Sequence, residues 1–116
     1  MNKLQNNFTT PEQSKRLLEL GVPADSADMC YRINHEVARF DKIPTAIPYK
    51  DFTAKILYCP CWSVGRLIEI LKECINNEDD LIDIFVELQY SNDILTTILM
   101  IFRDNKAILD FSKLEE

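Results

Sequence analysis

The chain has 116 residues, 47% of them apolar and 28% charged, a balance that suits one globular domain able to close a core without metal or disulfide staples. Nineteen acidic residues against thirteen basic ones leave a formal charge of −6, and without a Lys/Arg cluster the sequence argues against nucleic acid as a partner. The longest nearly apolar run, residues 94–102, is about half of the roughly 20 residues a helix needs to cross a bilayer, so a membrane-spanning helix is excluded.

A single domain over 1–116 is expected, with residues 1–8 and 112–116 loosely ordered. The stretch MNKLQNNFTTPEQ has no apolar h-region and no small-residue cleavage site, which implies a cytoplasmic protein whose four cysteines are free thiols. The first element is helical. Thr10 is a natural N-cap, Pro11 suits the first helical position and Gln13 completes a T-x-x-Q capping box, while Gly21 ends the helix with Leu17 and Val22 placed for the closing contact. These signals predict a helix over 11–20.

MCYRI, residues 29–33, alternates as a strand does. Residues 34–52 contain two Ile-Pro steps, at 43–44 and 47–48, which forbid helix and central strand and predict an extended loop. AKILY, residues 54–58, predicts a second strand. In CPCWSVGRLIEIL, residues 59–71, Pro60 is expected to stop that strand, Trp62 to seal the corner and Ser63 to cap a helix. The apolar stripe Val64, Leu67, Ile68, Leu71, Cys74 and Ile75 extends this helix over 64–76.

NNEDDLIDIFVELQ carries two conflicting signals. Asn77 and an acidic first turn favour a helix start, whereas Ile84, Val86, Leu88 and Tyr90 alternate with Glu87, Gln89 and Ser91 at period two. The strand reading is preferred for 78–90, and ILTTILMIFR and KAILDF then complete a three-stranded antiparallel meander. Residues 98–102 would form a central strand apolar on both faces, covered on its second side by a helix or another subunit, which motivates a homodimer. The expected fold is α+β, with an antiparallel sheet of four to five strands carrying helices at about 11–20 and 64–76.

Together TPEQSKRLLELG, SADMCYR and a Trp-Ser corner opening LIEIL resemble a group of small uncharacterised proteins encoded in prophages and mobile elements of Bacteroidetes, over about residues 9–75. Members of that group often show Pro-Ala-Trp-Ser where this chain has Pro60-Cys61-Trp62-Ser63, so the resemblance implies that the Cys61 thiol is a local substitution outside any shared chemistry. It brings no activity or cofactor, and it implies an accessory protein that acts by binding.

Cys30, His35, Cys59 and Cys61 are all preferred zinc donors, yet one C-x-C and one C-x4-H lack paired C-x2-C knuckles. Cys61 also precedes a helix N-terminus, where the dipole favours a thiolate, and His35 is the sole histidine available as its base. A thiol- or zinc-dependent enzyme built on Cys61, Cys59 and His35 is therefore one reading, and free thiols filling the core the other. Glu78, Asp79, Asp80 and Asp83 lack the EF-hand pattern, and two glycines, Gly21 and Gly65, cannot make a glycine-rich phosphate loop. No cofactor is called for and no catalytic set converges. Trp62 is either a recognition hot spot at a rigid corner or a core plug whose N–H meets a carbonyl. The preferred reading is a non-catalytic protein-binding accessory protein, its contact region drawn from Ile43, Ile47, Tyr49 and Trp62, with nucleic-acid binding the weakest alternative.

Overall fold

Helix α1, Pro11–Glu19, starts and stops where its sequence says. The Gln13 N–H donates to Thr10 Oγ1 at 3.1 Å and the Thr10 N–H donates to Gln13 Oε1 at 2.9 Å, so two end groups are satisfied reciprocally. At the far end Val22 N–H bonds the Leu17 carbonyl and Gly21 N–H the Leu18 carbonyl, with Gly21 at φ 100°, a conformation a Cβ would strain. Leu17 and Val22 close the motif from inside the core. The computed structural model describes residues 7–34, 39–51 and 58–114. Of the segments expected to be loosely ordered, residues 1–6 and 115–116 lie outside that set, whereas Phe8 bridges Ser63 and the Asn7 carbonyl accepts the Val64 N–H.

The sheet has three antiparallel strands among the described residues, β1 (Met29–Asn34), β2 (Arg39–Phe40) and β3 (Tyr58–Cys61), in the order β2-β1-β3. This is fewer than the four to five expected. β1 matches its sequence pattern, β2 arises inside the segment expected to be loop, and all but Tyr58 of the expected strand at 54–58 lies outside the described residues. β3 then runs through Pro60 instead of stopping there. Pro60 stands opposite Cys30 in the register, and the Cys30 N–H and carbonyl both pair with Thr45 on the other side. Hydrogen-bonded pairs alternate along an antiparallel ladder, so the proline occupies a pair where its missing N–H removes nothing.

Helix α2, Val64–Cys74, begins at Ser63, whose Oγ accepts from Arg66 N–H at 3.1 Å. Leu67, Leu71 and Cys74 face inward as the stripe predicted, Ile70 joins them although the stripe left it out, and Val64 and Ile68 are only partly buried.

From residue 78 on the structure departs from the sequence reading. Residues Glu78–Gln89 form helix α3 and Ile94–Asp104 helix α4, not strands. Leu81, Ile84, Phe85 and Leu88 make the i, i+3, i+4, i+7 stripe of a helix, and Ile84 and Leu88 satisfy both periods, which is why alternation misled. Caps decide the matter locally: Asn77 Oδ1 accepts from Asp79 N–H at 2.8 Å, and Asp93 Oδ1 accepts from Thr96 N–H at 3.2 Å. In α4, Leu95, Ile98, Ile101 and Phe102 are buried while Ile94 and Met100 are exposed, so the supposed two-sided strand is a one-sided helix. KAILDF forms a 3₁₀ turn at Lys106–Ile108 followed by an isolated Ile75–Leu109 bridge, and a second turn at Phe111–Leu114 stacks Phe111 on Phe102 at 6.3 Å.

The result is an α+β fold in which, among the described residues, four helices accompany a small sheet, where two helices and a larger sheet were expected. α4 packs against α1, α2 and α3. Trp62, Leu17, Leu67, Leu71, Ile98 and Phe102 fill the centre of the core. No helix among the described residues is long and apolar enough to cross a membrane.

Candidate functional site

The corner between β3 and α2 gathers the residues with most chemistry. Trp62 is fully buried. Its indole Nε1–H donates to Ser26 Oγ at 3.0 Å, and Ser26 Oγ–H donates onward to the Pro23 carbonyl at 2.6 Å. The carbonyl expected for the indole is thus reached through a hydroxyl. Main chain and side chain of Thr9 complete the arrangement. The Trp62 N–H donates to Thr9 Oγ1 at 3.0 Å, and the Thr9 N–H donates to the Trp62 carbonyl at 2.9 Å. Ser14 Oγ lies 2.8 Å from Thr9 Oγ1. The Thr9 carbonyl takes two donors, the Tyr31 hydroxyl at 2.7 Å and the Cys61 thiol at 3.3 Å.

Outside this nucleus, Asp28 receives the Ser63 N–H at 3.0 Å and the Ser63 hydroxyl at 2.5 Å. Arg66 Nε–H donates to the Ser26 carbonyl at 2.7 Å and pairs with Glu69 at 3.6 Å. Among the described residues no buried side-chain nitrogen or oxygen lacks a partner. The buried polar atoms of this corner are engaged with one another.

The thiols follow the same logic. All four cysteines are free, and Cys30, Cys61 and Cys74 are buried. Opposed residues of an antiparallel pair share a face, so Cys59 and Cys61 lie with Met29 and Tyr31 on one side of the sheet and Cys30 lies with Pro60 on the other. Burial raises the Cys30 thiol above its ordinary value and pushes Cys59 and Cys74 up to about 11. Cys61 reaches about 12, because burial outweighs the hydrogen bonds from Thr9 and Tyr31 that pull the other way. A thiol in that range is protonated at neutral pH and is a poor nucleophile. The thiol donates to the Thr9 carbonyl, while the Val64 and Arg66 N–H groups at the start of α2 are taken by Asn7 and Ser63. His35 lies outside the described residues, among which no three His, Cys, Asp or Glu side chains come together as a metal set.

The residues named for binding separate. Trp62 is interior. Tyr49 is half-buried against the core, and its N–H donates to the Ala27 carbonyl. Ile43 is 70% exposed and Ile47 44% exposed, on a segment held by buried Pro44 and by the Thr45–Cys30 bridge. Sequence reasoning missed the larger feature. On α3, Ile82, Val86 and Tyr90 are 54%, 48% and 84% exposed and recur at i, i+4, i+8, one row on the side opposite Ile84 and Leu88. That spacing was present in the sequence and became meaningless once the segment was read as a strand. Asp79, Asp83 and Glu87 form the adjoining row, and Lys72 caps the Phe85 ring at 5.7 Å on the inner flank. Glu78, Asp79 and Asp80 also complement the N-terminal dipole of α3, a structural account of the acidic cluster.

No protein family, curated protein or solved structure matches the chain.

Proposed function

We propose that this is a non-catalytic binding protein that docks another protein on the outward row of α3, as an accessory or modulator protein of a phage or mobile element. The carrying observation is the exposed line Ile82, Val86, Tyr90. Single exposed apolar residues are ordinary on a folded surface, but a helical row ending in a nearly free tyrosine has the composition of an interface anchor. Ile43 and Ile47 are a second contact in this reading. Buried thiols of raised pKa and a self-satisfied corner favour binding over thiol or zinc catalysis. Free cysteines fit a reducing, cytoplasmic setting, and the resemblance over residues 9–75 supports the accessory role.

The test is capture from bacterial host lysate with the wild-type chain and with an Ile82→Glu, Val86→Glu, Tyr90→Glu variant of unchanged thermal unfolding. A protein retained at stoichiometric yield by the wild type and lost from the variant is the expected result. Equal retention by both, or capture of nothing by either, overturns the proposal.

A further inference from the structure

We infer that the segment docking on α3 is a basic amphipathic helix, its apolar side chains on Ile82, Val86 and Tyr90 and its Lys and Arg on Asp79, Asp83 and Glu87. The inference rests on the binding reading above and adds the chemistry of the partner.

Charge makes the choice. α3 carries Glu78, Asp79, Asp80, Asp83 and Glu87 and not one Lys or Arg, within a chain of net charge −6. Among the described residues none of Asp79, Asp83 and Glu87 takes part in an ion pair, since Arg66 pairs with Glu69, Arg32 with Asp41 and Arg103 with Asp104. Three carboxylates without an ion-pair partner, of which only Asp79 lies in the first turn of α3, stand one turn apart beside an apolar row of the same pitch. A second copy of the chain would set five carboxylates against five, an anionic lipid surface would repel them, and a phosphate backbone would do the same. A cationic surface is the complement, and an apolar row beside it excludes a merely basic coil.

Geometry selects a helix. The row spans eight residues, about 12 Å along the axis, with anchors about 6 Å apart. A facing helix offers side chains at that interval through i, i+4 and i+7 or i+8, as helix-in-groove partners do. A strand partner would need an open backbone edge, and the backbone groups of α3 are engaged within the helix.

The experiment uses the full chain and three labelled synthetic peptides of about five helical turns: one with Leu along one face and Lys/Arg on the others, one of the same composition scrambled so that no face is apolar, and one with Glu replacing every cation. Fluorescence anisotropy reads the affinities at low and high salt. The basic amphipathic peptide is expected to bind at least about tenfold tighter than either control, to weaken as salt rises, and to lose about tenfold on Asp83→Lys with Glu87→Lys and again on Val86→Gln, with circular dichroism unchanged. Equal binding of the scrambled peptide, indifference to the charge reversal, or a wild-type dimer in sedimentation that Val86→Gln dissociates each overturns the inference. If lysate capture depends on α3 while the basic peptide shows no preference, the partner class is wrong and the binding reading stands. If neither depends on α3, both fall.

Discussion

Cys30 and Pro60 face each other across β1 and β3, and neither asks the other for a hydrogen bond. The Cys30 N–H donates to the Thr45 carbonyl at 3.0 Å, and the Cys30 carbonyl accepts from the Thr45 N–H at 2.7 Å. A proline is therefore harmless in β3 and costly across β1. Thr45→Pro removes the 2.7 Å bond and leaves a strand carbonyl unpaired, a loss of about 1–3 kcal/mol. Pro60→Ala keeps the ladder intact and loses packing alone, about 1 kcal/mol. Urea denaturation of the two variants checks the order, and a larger loss from Pro60→Ala would refute this account of the ladder.

Thr9 joins the N-terminal segment to the corner through its hydroxyl. Thr9→Val keeps the shape but leaves the Trp62 N–H and Ser14 Oγ without their partner, so it should cost about 2–4 kcal/mol, against about 1 kcal/mol for Thr9→Ser. Chemical denaturation of both variants measures the difference. Equal losses would assign the effect to methyl packing.

The thiols make stability fall at alkaline pH. Burial holds Cys61 up to about 12 and Cys74 up to about 11, against an ordinary value of 9.0. Above pH 9 the unfolded chain releases these protons while the folded chain keeps them, so the unfolded state binds fewer protons and stability drops as pH rises. Their contribution is intact below pH 9.0 and is withdrawn between there and about 11 to 12, at up to about 1.4 kcal/mol per pH unit for each thiol. Denaturation midpoints measured from pH 7 upward, compared with Cys61→Ala, should show a shallower alkaline decline in the variant. Alkylation of the native protein near neutrality should reach half-buried Cys59 before Cys30, Cys61 or Cys74.

Ile84 and Val86 separate helix from strand in one experiment. On a strand they would share a face and respond alike; on α3 Ile84 is 4% exposed and Val86 48%. Ile84→Gln should therefore cost about 3 kcal/mol and Val86→Gln no more than about 0.5 kcal/mol. Thermal unfolding followed by circular dichroism gives both values, and matching losses would contradict α3.

The half of the chain with strong punctuation was legible from its residues. Thr10, Pro11, Gln13 and Gly21 bounded α1, and Ser63 with its apolar stripe bounded α2, because each signal there has a single structural meaning. Pro60 was misread because the rule against proline in strands is conditional on register, and register is set by Thr45, fifteen residues earlier. Residues 78–104 were misread because β-branched residues at Ile84, Val86, Ile94, Thr96 and Ile98 imitate a strand while the packing of α4 against α1, α2 and α3 rewards helices. At the corner Cys61 and Trp62 are both buried, a position that suits the core-filling reading of the indole and not its alternative as an exposed recognition residue. The exposed row on α3 stayed hidden, since an outward face exists only after the helix does.

The link between Thr9 and Trp62 spans 53 residues, and it dictates an order of events during synthesis. At translation rates of about 5–20 residues per second, the nascent N-terminal segment waits about 3–10 s for the tryptophan that will receive it. Throughout that interval α1 has its caps but no floor, and its apolar side lies open to any chaperone at the ribosome. Helix α2 emerges with the corner but waits in turn for α4 and the Phe111–Leu114 turn that pack against it, so the core closes only after those residues have been made.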